Sequence, residues 1–191
     1  MRCTDLLTLA VLALVPLSIP TYTYAQEHQH THSLDAHQHG VATLNIALED
    51  QQLILELHSP AMNIIGFEYQ PNSDMDKHAV LTAEHTLKNE QRLFKLSAAA
   101  QCALSSVAIE NDLAEHSDDH QQSAHDEDEQ QHSDIRASYQ FNCAVPTKLT
   151  SIDLDGFFKA FPLTEKIHVQ LISAATQQGV ELSQGNTAIN W

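Results

Sequence analysis

The architecture can be read outward from VATLNIALEDQQLILELH, Val41 to His58. Ala42, Leu44, Ile46 and Leu48 alternate with Val41, Thr43, Asn45 and Ala47, and after a polar break Leu53, Leu55 and Leu57 alternate again. A period of two is the signature of a strand with one face in the core. A turn centred on Asp50-Gln51 pairs Leu48 with Leu53, Ile46 with Leu55 and Leu44 with Leu57. That register keeps one face apolar throughout, and a slip of one residue would turn the leucines to water.

Further along, Ser73 to Asn89 reads as a helix: Ser73 can cap it with Asp76 three residues on, and Val80, Ala83 and Leu87 form its apolar stripe. Cys102–Glu110 and Ile135–Cys143 read as strands. In the second, Ile135, Ala137, Tyr139, Phe141 and Cys143 alternate with polar residues. If these two pair antiparallel, Cys102 and Cys143 meet at the open end of a hairpin. The residues between the strands then form a long insertion at its tip, which costs little stability. Asp155–Phe161 reads as a short helix before Pro162, with Phe157, Phe158 and Phe161 in the core. Ile167, Val169 and Leu171 read as a strand, Gln178-Gly179 as a turn and Ala188-Ile189 as a closing strand. The expected fold is a small single α+β domain over residues 41–191, mostly antiparallel sheet with one or two helices.

Length and charge agree with one domain and tails. The chain has 191 residues and 42% hydrophobic content, with a net charge of -16 that repels phosphate backbones and excludes nucleic acid as a partner. Arg2, the apolar run Leu6–Ile19 and Thr23-Tyr24-Ala25 read as an export leader cleaved after Ala25, with an uncleaved anchor as the alternative. Cys3 leaves with the leader. The two remaining cysteines, Cys102 and Cys143, are expected to form one disulfide in an exported chain, the alternative being two buried thiols. The loop so closed, about 40 residues, corresponds to roughly 4 kcal/mol of chain entropy.

Thirteen histidines are the unusual feature, and nine of them fall in two tracts. Residues 26–40, QEHQHTHSLDAHQHG, carry His28, His30, His32, His37 and His39. Residues 111–134, NDLAEHSDDHQQSAHDEDEQQHSD, carry His116, His120, His125 and His132 with nine carboxylates. Neither tract contains a basic residue or enough apolar surface to offset ordering, so both are expected to be soft without metal. His-X-His on extended chain puts two imidazoles on one face about 6.5 Å apart. His116 and His120 would share a helical face, and Asp118, Asp119, Asp126 and Asp128 can complete a coordination shell. Imidazole with carboxylate suits Zn²⁺, and also Cu²⁺ and Ni²⁺, so the donor set does not choose the metal. pH sensing by clustered imidazoles and a plain solvated tail and loop are the other readings.

The remaining histidines read as surface. His58 lies on the non-core face opposite Thr43, His78 and His85 lie opposite the helix stripe, and His168 faces away from the core. No glycine-rich phosphate loop, nucleophile elbow or His-Glu-x-x-His pattern is present, and the chain is not expected to be an enzyme.

Several stretches resemble the ZrgA-type family of periplasmic zinc-uptake proteins. They are HQHGVATLNIALEDQQLILELHSPAMNIIGFEYQP (His37–Pro71), LFKLSAAAQCAL (Leu93–Leu104), the acidic His-rich insertion, RASYQFNCAVPTKLTSIDLDGFFKAFP (Arg136–Pro162) and IHVQLISAATQQGVELS (Ile167–Ser183). The resemblance covers nearly all of the chain after the leader, in order. It implies a periplasmic zinc-binding protein that supports zinc acquisition, with His37, His39 and the insertion's histidines as ligands. The chain departs from the family pattern at Tyr69, where His follows Gly-Phe-Glu. The resulting expectation is an accessory protein that captures Zn²⁺ through its two tracts and supports delivery to a zinc importer or its accessory subunits. At 166 residues after the leader, the chain is too short for a two-lobed solute receptor. A periplasmic buffer for excess zinc, copper or nickel is one alternative. An interaction domain merely tuned by the tracts is the other.

Overall fold

The computed structural model describes residues 38–114 and 133–191. The segment read as an export leader and most of both histidine tracts lie outside the described residues. The elements are β1 (Val41–Glu49), β2 (Gln52–Pro60), α1 (Ala61–Ile64), α2 (Asp74–Leu87), α3 (Glu90–Leu93), β3 (Lys95–Leu96), β4 (Cys102–Asn111), β5 (Asp134–Cys143), β6 (Ser151–Asp153), α4 (Asp155–Ala160), β7 (Lys166–Ser173), β8 (Gln177–Ser183) and β9 (Ala188–Asn190). They form a single α+β domain. Six strands make the main sheet in the order β4-β5-β2-β1-β7-β8, and β3-β6-β9 make a second, smaller one. Among the described residues no helix is long and apolar enough to cross a membrane.

The β1–β2 hairpin has the register its alternation demands: Leu44 faces Leu57, Ile46 faces Leu55 and Leu48 faces Leu53. Asp50 takes φ 50° in the turn, a left-handed value that short polar side chains tolerate. Leu44, Leu53 and Leu55 are wholly buried, as are Ile135, Tyr139 and Ile167 on neighbouring strands. Each such side chain contributes on the order of 1.5–3 kcal/mol by leaving water. The helices cover this face. Helix α2 turns Val80, Ala83 and Leu87 inward and starts at a complete Ser73–Asp76 capping box. Phe157, Phe158 and Phe161 from α4 and its end are buried, with Phe94 edge-on to Tyr139 at 5.0 Å. The Tyr139 hydroxyl donates to the Leu87 carbonyl at 2.9 Å, which satisfies its one polar group inside the core. Gly156 lets α4 lie against the end of α3, because a Cβ there would sit 1.9 Å from the Arg92 carbonyl oxygen.

Strands β4 and β5 pair antiparallel with Cys102 opposite Cys143, and the two cysteines form a disulfide. Two features differ from the sequence reading, and a third lay outside it. The turn before β8 lies at residues 174–176 instead of Gln178-Gly179, because the Ser173 hydroxyl accepts from the amides of Ala175 and Thr176 and closes the chain there. Gly179 is a strand residue opposite Gln170. Strand β9 pairs with β6 in the small sheet, so it does not close the main one. Finally, β1 and β7 run parallel.

Candidate metal centre at one end of the sheet

The strand order places the roots of both histidine tracts at the same end of the main sheet. The first tract enters at Gly40, just before β1. The second leaves β4 after Asn111 and re-enters at Asp134, the first residue of β5. Strands β1 and β5 flank β2 on either side, and the registers Thr43–His58 and Pro60–Asp134 bring both roots to the last residues of β2. Two inter-strand spacings separate them, about 10 Å. The Asp50 turn and the Cys102–Cys143 disulfide mark the opposite end, where the Cys143 amide donates to the Gln51 carbonyl.

Each root is held by buried polar groups. Asn63 of α1 is 1% exposed; its Oδ1 accepts from the Gly40 amide at 2.7 Å, and its Nδ2 donates to the Val41 carbonyl and the Ser59 hydroxyl. Gly40 has φ 84°, a conformation glycine adopts without cost, and its carbonyl accepts from the amides of Glu165 and Lys166. At the second root, Leu113 is 1% exposed and Asn111 bonds both the Leu113 amide and Glu84. The Asp134 amide donates to Asp112 Oδ2 at 3.0 Å, and the Ser133 hydroxyl to the Glu68 carbonyl at 3.1 Å. The folded body thus extends into both ends of the stretch read as an insertion.

Two imidazole–carboxylate pairs stand at this end. His39 Nε2 lies 3.2 Å from Glu68 Oε1, joining the first root to the segment after α1. His58 Nε2 lies 2.9 Å from Asp134 Oδ2, joining β2 to the second root. In both, the carboxylate is the more buried partner: the Glu68 and Asp134 side chains are 13% and 9% exposed, the imidazoles 52% and 40%. A buried carboxylate that aims an exposed imidazole is the arrangement that orients histidine ligands in metal sites. Each pair offers one nitrogen and one oxygen donor. Among the described residues no group of three or more His, Cys, Asp or Glu side chains is close enough to hold one ion. A four-coordinate zinc therefore needs donors beyond either pair.

Of the nine histidines predicted as ligands, His39 is described and stands at the first root. His28, His30, His32, His37, His116, His120, His125 and His132 lie outside the described residues. His78 and His85 are exposed on α2, and His168 is exposed on β7 with Nδ1 4.0 Å from Glu181. His58 faces Thr43 on the non-core face, as expected, but its bond to buried Asp134 makes it part of the candidate centre. Its signal in the sequence was the even spacing from Glu56; the Asp134 partner needed the β2–β5 pairing. Glu68 had no signal beyond its place in Gly-Phe-Glu. Tyr69 stacks on Phe67 at 4.6 Å and donates to Asp76 at 3.4 Å.

The model of a family described as ZrgA family zinc uptake protein matches residues 36–191. No curated protein matches the chain.

Proposed function

The chain belongs to the ZrgA family of zinc uptake proteins, and from that premise we propose that it captures Zn²⁺ in the periplasm and supports its delivery to an importer. The observation that carries this reading is that the roots of both histidine tracts lie at one end of the sheet, beside His39–Glu68 and His58–Asp134. In this account the tract histidines collect the ion, and the fixed pairs supply donors whose positions cost no ordering on binding. The tracts are expected to be soft, and the free energy of ordering them lowers affinity, which permits release. Zinc is cargo in this account, and the chain is not an enzyme. The N-terminal segment is its export leader.

Imidazole must be deprotonated to ligate, so affinity falls as pH drops below about 6. The test is a calorimetric titration of Zn²⁺ into the chain from Gln26 to Trp191 at pH 7.5 and 5.5. A variant of the same length with the nine tract histidines changed to Ala is titrated alongside. The account expects the variant to lose most of its zinc capacity and the wild type to weaken strongly at pH 5.5. Undiminished binding by the variant would show that the tracts are not ligands. A companion growth assay at limiting zinc should show a defect on loss of the protein. A defect only under zinc excess would instead indicate sequestration.

A further inference from the structure

The face of the main sheet that the helices leave open carries a cross-strand row formed by Glu110, Arg136, His58, Thr43, His168 and Glu181, each paired with the next in the ladder. Arg136 stands between Glu110 and His58 in this row. It is half-exposed, and one guanidinium nitrogen lies 3.8 Å from Asp134 Oδ2. That same oxygen lies 2.9 Å from His58 Nε2. Thus a fixed cation and an imidazole share one carboxylate oxygen of the candidate centre. A groove of about 380 Å³ opens over them, lined among others by Glu56, His58, Glu110 and Arg136.

We propose that Arg136 is the resident counter-cation of the zinc site, competing with the metal for Asp134 and so setting how readily zinc leaves. The inference rests on the zinc-binding reading above and deepens it. A zinc ion accepted by Asp134 Oδ2 must take the place of the guanidinium and then sits near its positive charge. Glu110 gives the arginine somewhere to go: it is the direct cross-strand partner on β4, within reach of a side chain of that length. The site therefore exchanges one cation for another without leaving Asp134 or Arg136 unpaired. Even with the full screening of bulk water, repulsion between a dication and a guanidinium about 6 Å apart changes affinity roughly tenfold, and weaker screening at the protein surface raises that figure.

The experiment measures affinity for the first equivalent of zinc by chelator competition, and its dissociation rate by stopped flow, on the chain from Gln26 to Trp191. Arg136→Gln is expected to bind at least about tenfold tighter and to release zinc correspondingly more slowly, by the same Coulomb estimate. Arg136→Lys keeps the charge and is expected to stay near wild type. Lys166→Gln removes a cation paired with Glu181 on the same face and controls for general charge. Equal tightening in Lys166→Gln and Arg136→Gln, or unchanged or weaker binding in Arg136→Gln, would overturn the role of Arg136. His58→Gln and Asp134→Asn separate the two levels. If they weaken zinc while Arg136→Gln does nothing, the zinc site stands and the counter-cation does not. If they leave zinc untouched, the fixed pair is not a ligand set and the counter-cation role falls with it, while capture by the tract histidines is decided by the variant lacking those nine histidines.

Discussion

Asn63 does more for the candidate centre than its place in a four-residue helix implies. Its amide satisfies three groups at once, the Gly40 amide, the Val41 carbonyl and the Ser59 hydroxyl, all at the point where the first tract becomes β1. Truncation to Ala would leave buried backbone groups unpaired, at about 1–3 kcal/mol each when water cannot reach them. Asn63→Ala is therefore expected to lower stability in urea by about 2–3 kcal/mol, and to free His39 from Glu68. A loss below half a kcal/mol would mean that water or local movement replaces the bonds. At this scale the site was only partly legible. Histidine density marked His39 because composition is visible residue by residue. His58 and Asp134 are 76 positions apart, and nothing local to either announces the other.

At the scale of elements, what the sequence made legible is what is local. The Val41–His58 hairpin and the α2 capping box follow from contacts a few residues apart, and both stand where periodicity placed them. The β4–β5 pair was legible because two cysteines and two alternating runs favoured one register. The parallel β1–β7 pairing and the β3-β6-β9 sheet join short or distant segments, whose partners are chosen by tertiary packing rather than by propensity. Ser173 outcompeted Gly179 for the turn because a hydroxyl can accept two amides in place, a signal weaker in sequence than Gln-Gly.

The junction of β6, α4 and β9 yields a pH prediction. Asp153 accepts from the Thr187 hydroxyl at 2.7 Å and from the Asp155 amide at 2.9 Å. Those bonds, the Thr187 one foremost, hold its carboxyl below the ordinary value of 3.8. Because the folded value is depressed, the stabilisation is present above the unfolded value and lost as pH falls through the folded one. Asp153→Asn is thus expected to flatten the acid limb of stability below about pH 4. Urea midpoints followed through that range check it, and an acid limb identical to wild type would assign acid unfolding to other carboxylates.

On the scale of the whole molecule, the two ends of the main sheet divide the work. One end is closed by the Asp50 turn and the Cys102–Cys143 disulfide, which bridges 41 positions of sequence. The other end gathers the tract roots with His39, Glu68, His58 and Asp134. Reduction of the disulfide should cost about 4 kcal/mol or less on the chain-entropy estimate. It should leave the affinity of the folded protein for the first zinc unchanged, since the bridge and the candidate centre lie at opposite ends. Calorimetry in the presence and absence of reductant reads both effects, and a large loss of zinc affinity on reduction would argue against that separation.

The most direct test of the account is to map zinc on the backbone amide spectrum of the isotopically labelled chain from Gln26 to Trp191, adding one equivalent of zinc. The account predicts shifts at the tract histidines and, among the described residues, the largest shifts at residues 39–41, 58–60, 66–69 and 133–136, with residues 49–52, 102–104 and 141–143 unmoved. Shifts confined to the disulfide end, or to the surroundings of His78, His85 and His168, would contradict it.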